Sequence, residues 1–130
     1  MEIADEKGVH VAVVVLDYSG NEKASISHLQ AAPMATEIAR AKAFTSLNFG
    51  LPTSEAVEKI SPEIQNRLAM TDRRLLFLGG GIPIFSENGV EGAIGVSGST
   101  PDEDSYIAKS ALAALDDDRV QGTYSRETDT

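Results

Sequence analysis

Cysteine and tryptophan are absent from this chain of 130 residues, and aromatic side chains make up only 5% of it. The absence of cysteine excludes disulfide bonds, thiolate metal sites and a cysteine nucleophile. Because large rings are scarce, the core must be built from aliphatic side chains and alanine. The hydrophobic share of 42% is sufficient for that, and the length favours a single domain.

Positive charge is also scarce, since 11 basic side chains face 20 acidic ones and the formal net charge is −9. Such a surface repels phosphate backbones and anionic headgroups, so we expect neither nucleic acid nor a membrane as partner. No apolar run approaches the ~20 residues that cross a membrane. The segment Met1–Lys7 lacks the basic and apolar regions of a signal peptide. We therefore expect a soluble, cytoplasmic protein.

The pattern of apolar and turn residues predicts two hairpins separated by helices. Asn88-Gly89 is a strong hairpin signal, and Asp17–Asn21 is typical of a turn between two apolar runs. Thr100–Glu103 opens the last helix with a capping box and a proline in the first helical position. The predicted strands are Val9–Leu16, Glu22–Leu29, Ile82–Ser86 and Val90–Ser97. The predicted helices run from Pro33 to just before Gly50, over Thr53–Ile60, over Ser61–Met70 and onward from Pro101.

The order of these elements indicates one α+β domain with a mainly antiparallel sheet over residues 1–118, followed by a polar, disordered tail over 119–130. Val9–Leu16 is apolar almost throughout, which is typical of a strand buried on both faces. Only a stub of helix precedes this strand, so we expect a second copy of the chain to cover one face of the sheet. A stripe of small side chains on the first long helix would allow close packing of that copy: Ala35, Ala39 and Ala43.

Four blocks within residues 8–115 are specific when taken together, although each alone would be a weak signal. They are Val13–Gly20, Ile38–Thr45, Gly79–Ile84 and Val90–Gly98, with Asp104 after the last. In this order they resemble the GlcG/HbpS-like family. That family includes haem-binding HbpS and the C-terminal domain of PduO-type proteins.

The resemblance implies a profilin-like sandwich, in which helices flank a five-stranded, mainly antiparallel sheet, assembled as dimers or larger rings. It also implies a small-molecule ligand, haem in some members, and an accessory role in small-molecule catabolism. The chain departs from the family pattern in two places. The family's long first helix is reduced to Met1–Lys7, and His28 stands where an arginine could hold an anion.

The relation between the two histidines, His10 and His28, depends on the turn between the first two strands. A three-residue loop with Gly20 in the left-handed conformation pairs Asp17 with Asn21 and brings the histidines face to face. A four-residue loop puts them on opposite faces. Facing histidines could ligate haem iron or another metal, or act as acid and base near neutral pH. The plainer alternative, which we favour for His10, is a core histidine satisfied by a backbone group; for His28 both interpretations stay open.

Lys42 is the main candidate for a catalytic base, together with His28. It lies in a family-like block between two alanines, which allow its stem to be buried and its pKa to be lowered. Arg40, in contrast, is expected to pair with Glu37 on a solvated face. Further candidates could bind a ligand through backbone amides or polar side chains of the same blocks: Gly79, Gly80, Gly81, Pro83, Ser97 and Asp104.

These residues leave three functions open. The leading one is a homo-oligomeric binding protein that holds a small carboxylate or haem near Gly79–Pro83, His28 and Lys42, at a subunit boundary. The second is a cofactor-free enzyme, an isomerase, lyase or hydrolase, in which the Gly79–Gly81 amides stabilise a developing oxyanion. The third is an assembly subunit without a site of its own.

Overall fold

The computed structural model describes residues 1–114 as helices and strands joined by short connections. The helices are α1 (Glu2–Lys7), α2 (Ala35–Phe49), α3 (Thr53–Lys59), α4 (Pro62–Thr71) and α5, which is described over residues 101–114. The strands are β1 (Ala12–Asp17), β2 (Glu22–Ser27), β3 (Gly81–Ser86) and β4 (Gly89–Ser97).

The predicted helices and strands are present and differ from the prediction only at their ends. The predicted domain end at residue 118 and the predicted tail, 119–130, lie outside the described residues. Within the described residues, no helix combines the length and the apolar character needed to cross a membrane.

The two hairpins join in one antiparallel sheet with the strand order β2-β1-β4-β3. The α+β class and the antiparallel sheet are therefore confirmed, but the expectation of five strands is wrong, because four are found in the described residues. The apolar stretch 75–78 before β3 does not extend the sheet. Its backbone is held by a helix instead, since the amide of Leu76 donates to the hydroxyl of Thr45 on α2 at 2.8 Å.

One face of the sheet is covered by α2 through very small side chains. Ala39 and Ala43 are fully buried, and a Cβ added to Gly95 of β4 would overlap the carbonyl oxygen of Ala39. Gly95 therefore lets the helix backbone touch the strand. The predicted alanine stripe does permit a close backbone approach, but the approaching backbone is that of β4 in the same chain, not that of a second copy.

The other face is covered by α1 and α5 of the same chain. The core residues on this face are Ala4, Val11, Ile82, Ile84, Ile94, Val96, Ile107 and Ala108. The premise that a second copy must cover this face is therefore wrong. β1 alternates between buried and half-buried residues, whereas all six residues of β2 are exposed, including Ile26 at 58%. β2 is thus the least covered strand, and on the opposite edge strand Phe85 is 57% exposed.

The turn of the first hairpin is the predicted three-residue loop. Gly20 has a φ angle of 85°, and the amide of Asp17 donates to the carbonyl of Asn21 at 2.9 Å. The Asp17 carboxylate also accepts the amides of Ser19 and Asn21, at 3.0 and 2.9 Å. These bonds satisfy the turn backbone locally.

Candidate functional site

A buried ion pair between Lys42 of α2 and Asp104 of α5 lies at the centre of the candidate site. Lys42 Nζ donates to Asp104 Oδ2 and to the carbonyl of Val96 at the end of β4, both at 2.9 Å. Asp104 Oδ1 accepts the amide of Ser99 at 3.0 Å. The two charged side chains are 1% and 2% exposed. The pair ties α2, β4 and α5 together and leaves neither charge uncompensated.

The glycine run packs against this ion pair. A Cβ added to Gly80 would lie 2.8 Å from Lys42 Nζ, and one added to Gly81 would overlap the carbonyl oxygen of Lys42. A Cβ on Gly79 would press against the beginning of α5. Glycine is therefore required because any side chain would displace Lys42 or α5. The amide of Gly81 donates to Thr53 Oγ1 at 2.8 Å, so it is not free to bind a ligand.

Burial lowers the pKa of Lys42 from its ordinary value of 10.5, because water is excluded from the ammonium group. The hydrogen bond to Asp104 and its negative charge oppose this effect by favouring the charged form. The predicted direction of the shift is therefore present. Lys42 is buried, and its ammonium group is hydrogen-bonded to Asp104. A role of Lys42 as catalytic base stays a prediction.

A cleft of ≈ 260 Å³, the lysine cleft, opens beside this pair. Its polar lining is Lys42, Ser97, Ser99 and Asp104, and the rest is mainly apolar. The volume lies just below the ~300–1,000 Å³ that is usual for ligand pockets. The cleft can therefore enclose a small organic molecule or hold one part of a larger one.

A bulge in the first hairpin changes the predicted relation of the histidines. Val15 pairs with Ala24 while Leu16 pairs with Glu22, so the residue between these partners on β2 is unpaired. Because the register shifts by one, the amide of His28 bonds to the carbonyl of Val11, at 3.0 Å. His28 therefore does not lie opposite His10 as predicted.

The two imidazole rings nevertheless touch, with centroids 5.6 Å apart and an interplanar angle of 65°. His28 Nδ1 accepts the amide of Val11 at 2.9 Å, and Nε2 lies 2.8 Å from Asp5 Oδ1. These contacts fix the tautomer of neutral His28 with its proton on Nε2. Both ring nitrogens of His28 are thus engaged, and the ring joins α1 to the hairpin.

His10 is exposed, so the expectation of a core histidine satisfied by the backbone is wrong for it. Within residues 1–114 its ring has no hydrogen-bond partner, and it lies against the ring of His28. Gly98 lines the lysine cleft, and a Cβ added to Gly98 would overlap the backbone carbonyl of His10. His10 therefore has an exposed imidazole, and its backbone adjoins the lysine cleft.

The structure brings together some of the predicted site residues and separates others. Lys42, Ser97 and Asp104 line one cleft. Gly80 and Gly81 pack against Lys42, Gly79 packs against the beginning of α5, and none of the three is part of the lining. Pro83 is buried within β3, away from that lining.

Sequence reasoning missed the apolar lining and two polar contacts of the site. Met34 and Ile38 precede Lys42 by eight and four residues, which puts all three on one face of a helix. That spacing could have identified them. The sequence pattern around Asp5 and Ser99 gives no comparable signal. Their contacts, with His28 and Asp104, form only when the chain folds.

The chain matches the profile of the family described as haem degrading protein HbpS-like over residues 1–113. An uncharacterised 15.0 kDa protein from the dhaT–dhaS intergenic region of Citrobacter freundii is 29% identical over 109 residues, which cover 82% of this chain and 77% of that protein. The crystal structure of a double mutant of HbpS from Streptomyces reticuli is 32% identical, with a TM-score of 0.78 and coverage of 88% of this chain and 77% of that one. The crystal structure of a complex of PduOC with haem is 26% identical, with a TM-score of 0.80 and coverage of 87% and 83%.

The match also extends to the corrinoid adenosyltransferases PduO of Citrobacter freundii and Salmonella typhimurium. The chain spans about a third of the length of these two proteins. Because the family profile covers residues 1–113 and the fold agrees with that of HbpS, the chain belongs to the HbpS-like family.

Proposed function

We propose that the chain is a ligand-binding protein that takes haem where His10 and the lysine cleft meet at one end of the sheet. The observation that carries this proposal is the exposed imidazole of His10, a residue whose backbone adjoins Gly98 in the lining of a mainly apolar cleft. The haem complex of PduOC, which shares the fold, supports it. An accessory role in small-molecule catabolism, which the family resemblance implies, belongs to the same proposal.

The residues at this end fit haem iron better than they fit its propionates. A neutral imidazole is an ordinary axial ligand of haem iron, and His10 has both nitrogens available. His28 is the weaker candidate, because Asp5 and the Val11 amide already occupy its nitrogens. Lys42 does not fit a propionate, since its ammonium is buried and neutralised by Asp104.

Exposed apolar side chains near the lysine cleft suit a flat, apolar ligand. In the lining of the cleft, Met34 is 63% and Leu78 38% exposed; Leu29, next to His28 in the chain, is 100% exposed. Covering apolar surface contributes about 25 cal/mol per Å². Because the cleft holds only ≈ 260 Å³, one chain covers only part of a porphyrin. The proposal therefore includes a homo-oligomer in which a second chain covers the rest.

Titration of hemin into the full chain, followed by the Soret band, tests this proposal. We expect a saturable shift for the unaltered chain and an affinity lower by about tenfold or more for His10→Ala, because the free imidazole is lost. His28→Ala is the matched control and should keep the shift, with its folding checked by circular dichroism. No Soret shift at stoichiometric hemin, or a shift lost in His28→Ala alone, would overturn the assignment.

A cofactor-free enzyme is the second candidate function, favoured by the lowered pKa of Lys42 beside the cleft. Lys42 or His28 would act as the base on a small carbonyl or carboxylate substrate. Lys42→Ala and His28→Ala should then each abolish turnover in the fraction that remains folded, and unchanged turnover in both would exclude these roles. If the chain is an assembly subunit without a site, no metabolite should raise its melting temperature in a thermal-shift screen.

A further inference from the structure

A second cleft, of ≈ 300 Å³, lies between the first hairpin turn, α2 and the segment after α4. We call it the arginine cleft, because Arg40, Arg73 and Arg74 line it together with Glu37. Its apolar wall consists of Leu16, Ala41 and Phe44. Three arginines therefore line one cleft in a chain whose net charge is −9. The arginine cleft shares no lining residue with the lysine cleft.

Two of these arginines are already compensated by carboxylates of the same chain. Arg40 pairs with Glu22, at 2.6 Å, and with Glu37 three residues earlier, as predicted for a surface pair. Arg74 pairs with Asp72 at 2.7 Å. Carboxylates thus neutralise these two guanidinium groups and fix their positions.

Arg74 also lies over the ring of Phe44, with the guanidinium carbon 4.1 Å from the ring centroid. Such a stack holds both planar groups in one orientation. Phe44 extends from α2, whereas Arg74 lies after α4, so the stack joins the two walls of the arginine cleft. The cleft therefore has a defined, partly aromatic wall.

Arg73 differs from its neighbours, because it is exposed and has no hydrogen bond or ion pair to any other described residue. The arginine cleft therefore offers one uncompensated guanidinium next to an apolar wall. A guanidinium forms a fork that matches a carboxylate in two parallel hydrogen bonds. A dianion is disfavoured, since Glu37 and Asp72 lie close to the same groups.

We propose that the arginine cleft binds a monoanionic carboxylate with a small apolar body, with Arg73 as the group that recognises the carboxylate. The apolar body would lie against Leu16, Ala41 and Phe44. This site is additional to the proposed haem site and does not depend on it.

Calorimetric titration of the full chain with benzoate tests the proposal. We expect saturable binding that weakens by about tenfold or more in Arg73→Ala and less in Arg73→Lys, which keeps the charge but loses the fork. Arg67→Ala is the matched control, because Arg67 is an exposed arginine paired with Glu63 outside the cleft, and it should leave the affinity unchanged. Benzyl alcohol, which lacks the charge, should not bind.

Three outcomes would overturn the proposal. The first is that benzoate shows no saturable binding, the second is that Arg67→Ala and Arg73→Ala lose equal affinity for benzoate, and the third is that inorganic phosphate competes with benzoate at an equal concentration. The last outcome would mean a general anion site. Hemin titration of Arg73→Ala separates the two sites, because the Soret shift should persist in a variant that no longer binds benzoate.

Discussion

At the scale of single residues, Lys42 and Asp104 determine how the site is built. Each would be very costly to bury alone, and together they hold α2, β4 and α5 in contact. Sequence comparison with a family pattern predicts both residues as members of the site. It does not predict that they bind each other, since 62 positions separate them and only the fold brings them together.

Replacing Lys42 with methionine should lower the free energy of unfolding by about 3–5 kcal/mol, because Asp104 would stay buried without its cation. Urea unfolding followed by circular dichroism measures this loss. Arg67→Met is the control, since Arg67 pairs with Glu63 on the solvent side of α4, and it should cost less than about 1 kcal/mol. Equal losses in the two variants would mean that the buried pair contributes no more than a surface pair.

Lys42 should also make stability depend on pH in the alkaline range. Burial holds its pKa in the folded chain below the ordinary 10.5, so the unfolded chain binds more protons between the two values. The contribution of Lys42 to the free energy of unfolding should therefore rise as pH increases through its folded pKa toward 10.5. Urea unfolding across this range should show the rise in the unaltered chain relative to Lys42→Met. A relative decrease would contradict the direction of the shift.

At the scale of elements, turn and capping residues predict most of the secondary structure. Ser61 and Thr100 begin helices as expected, and Gly20 forms the predicted turn. The register of the first hairpin was not predictable, because the bulge depends on how β2 meets β1 rather than on local sequence. The cover supplied by α5 was missed for a similar reason. Its apolar stripe is visible in the sequence, but the sheet face it covers depends on the path of the whole chain.

The roles of the histidines show the same limit within the candidate site. The predicted three-residue loop would place His10 directly opposite His28; the bulge shifts that register, but the two rings still touch. Which ring keeps its nitrogens free depends on Asp5, which the fold brings from α1 to His28. A local pattern contains no information about that contact.

The contact between α2 and β4 leads to a prediction about Gly95. Gly95→Ala should lower the free energy of unfolding by several kcal/mol, because the new Cβ would overlap the carbonyl oxygen of Ala39. Thermal and urea unfolding measure the effect. Gly8→Ala is the control: Gly8 has a φ angle of 72° and open space around it, so only backbone strain of about 1–2 kcal/mol is expected. A smaller loss at Gly95 than at Gly8 would contradict the steric argument.

At the scale of the whole molecule, the sheet ends in two edge strands, β2 and β3. β2 is exposed along its entire length and carries Ile26 at 58% exposure, which favours association with another chain. We expect sedimentation at micromolar concentration to show a species larger than one chain, and Ile26→Lys to shift it toward the monomer. Phe85→Lys, on the opposite edge strand, is the control that should leave the assembly intact. A monomer for the unaltered chain would exclude the homo-oligomer.

The direct backbone contact between Gly95 and Ala39 also constrains how ligand preference can change. α2 carries Lys42 toward one cleft and Arg40, Ala41 and Phe44 toward the other, so it forms the partition between them. Because its backbone contacts β4 directly, α2 cannot move closer to the sheet. It also cannot move away from the sheet without exposing the core. We therefore expect related chains to adapt to larger or smaller molecules through different side chains at the rims of the clefts. The depth of both clefts should stay the same, because the distance between α2 and the sheet is fixed.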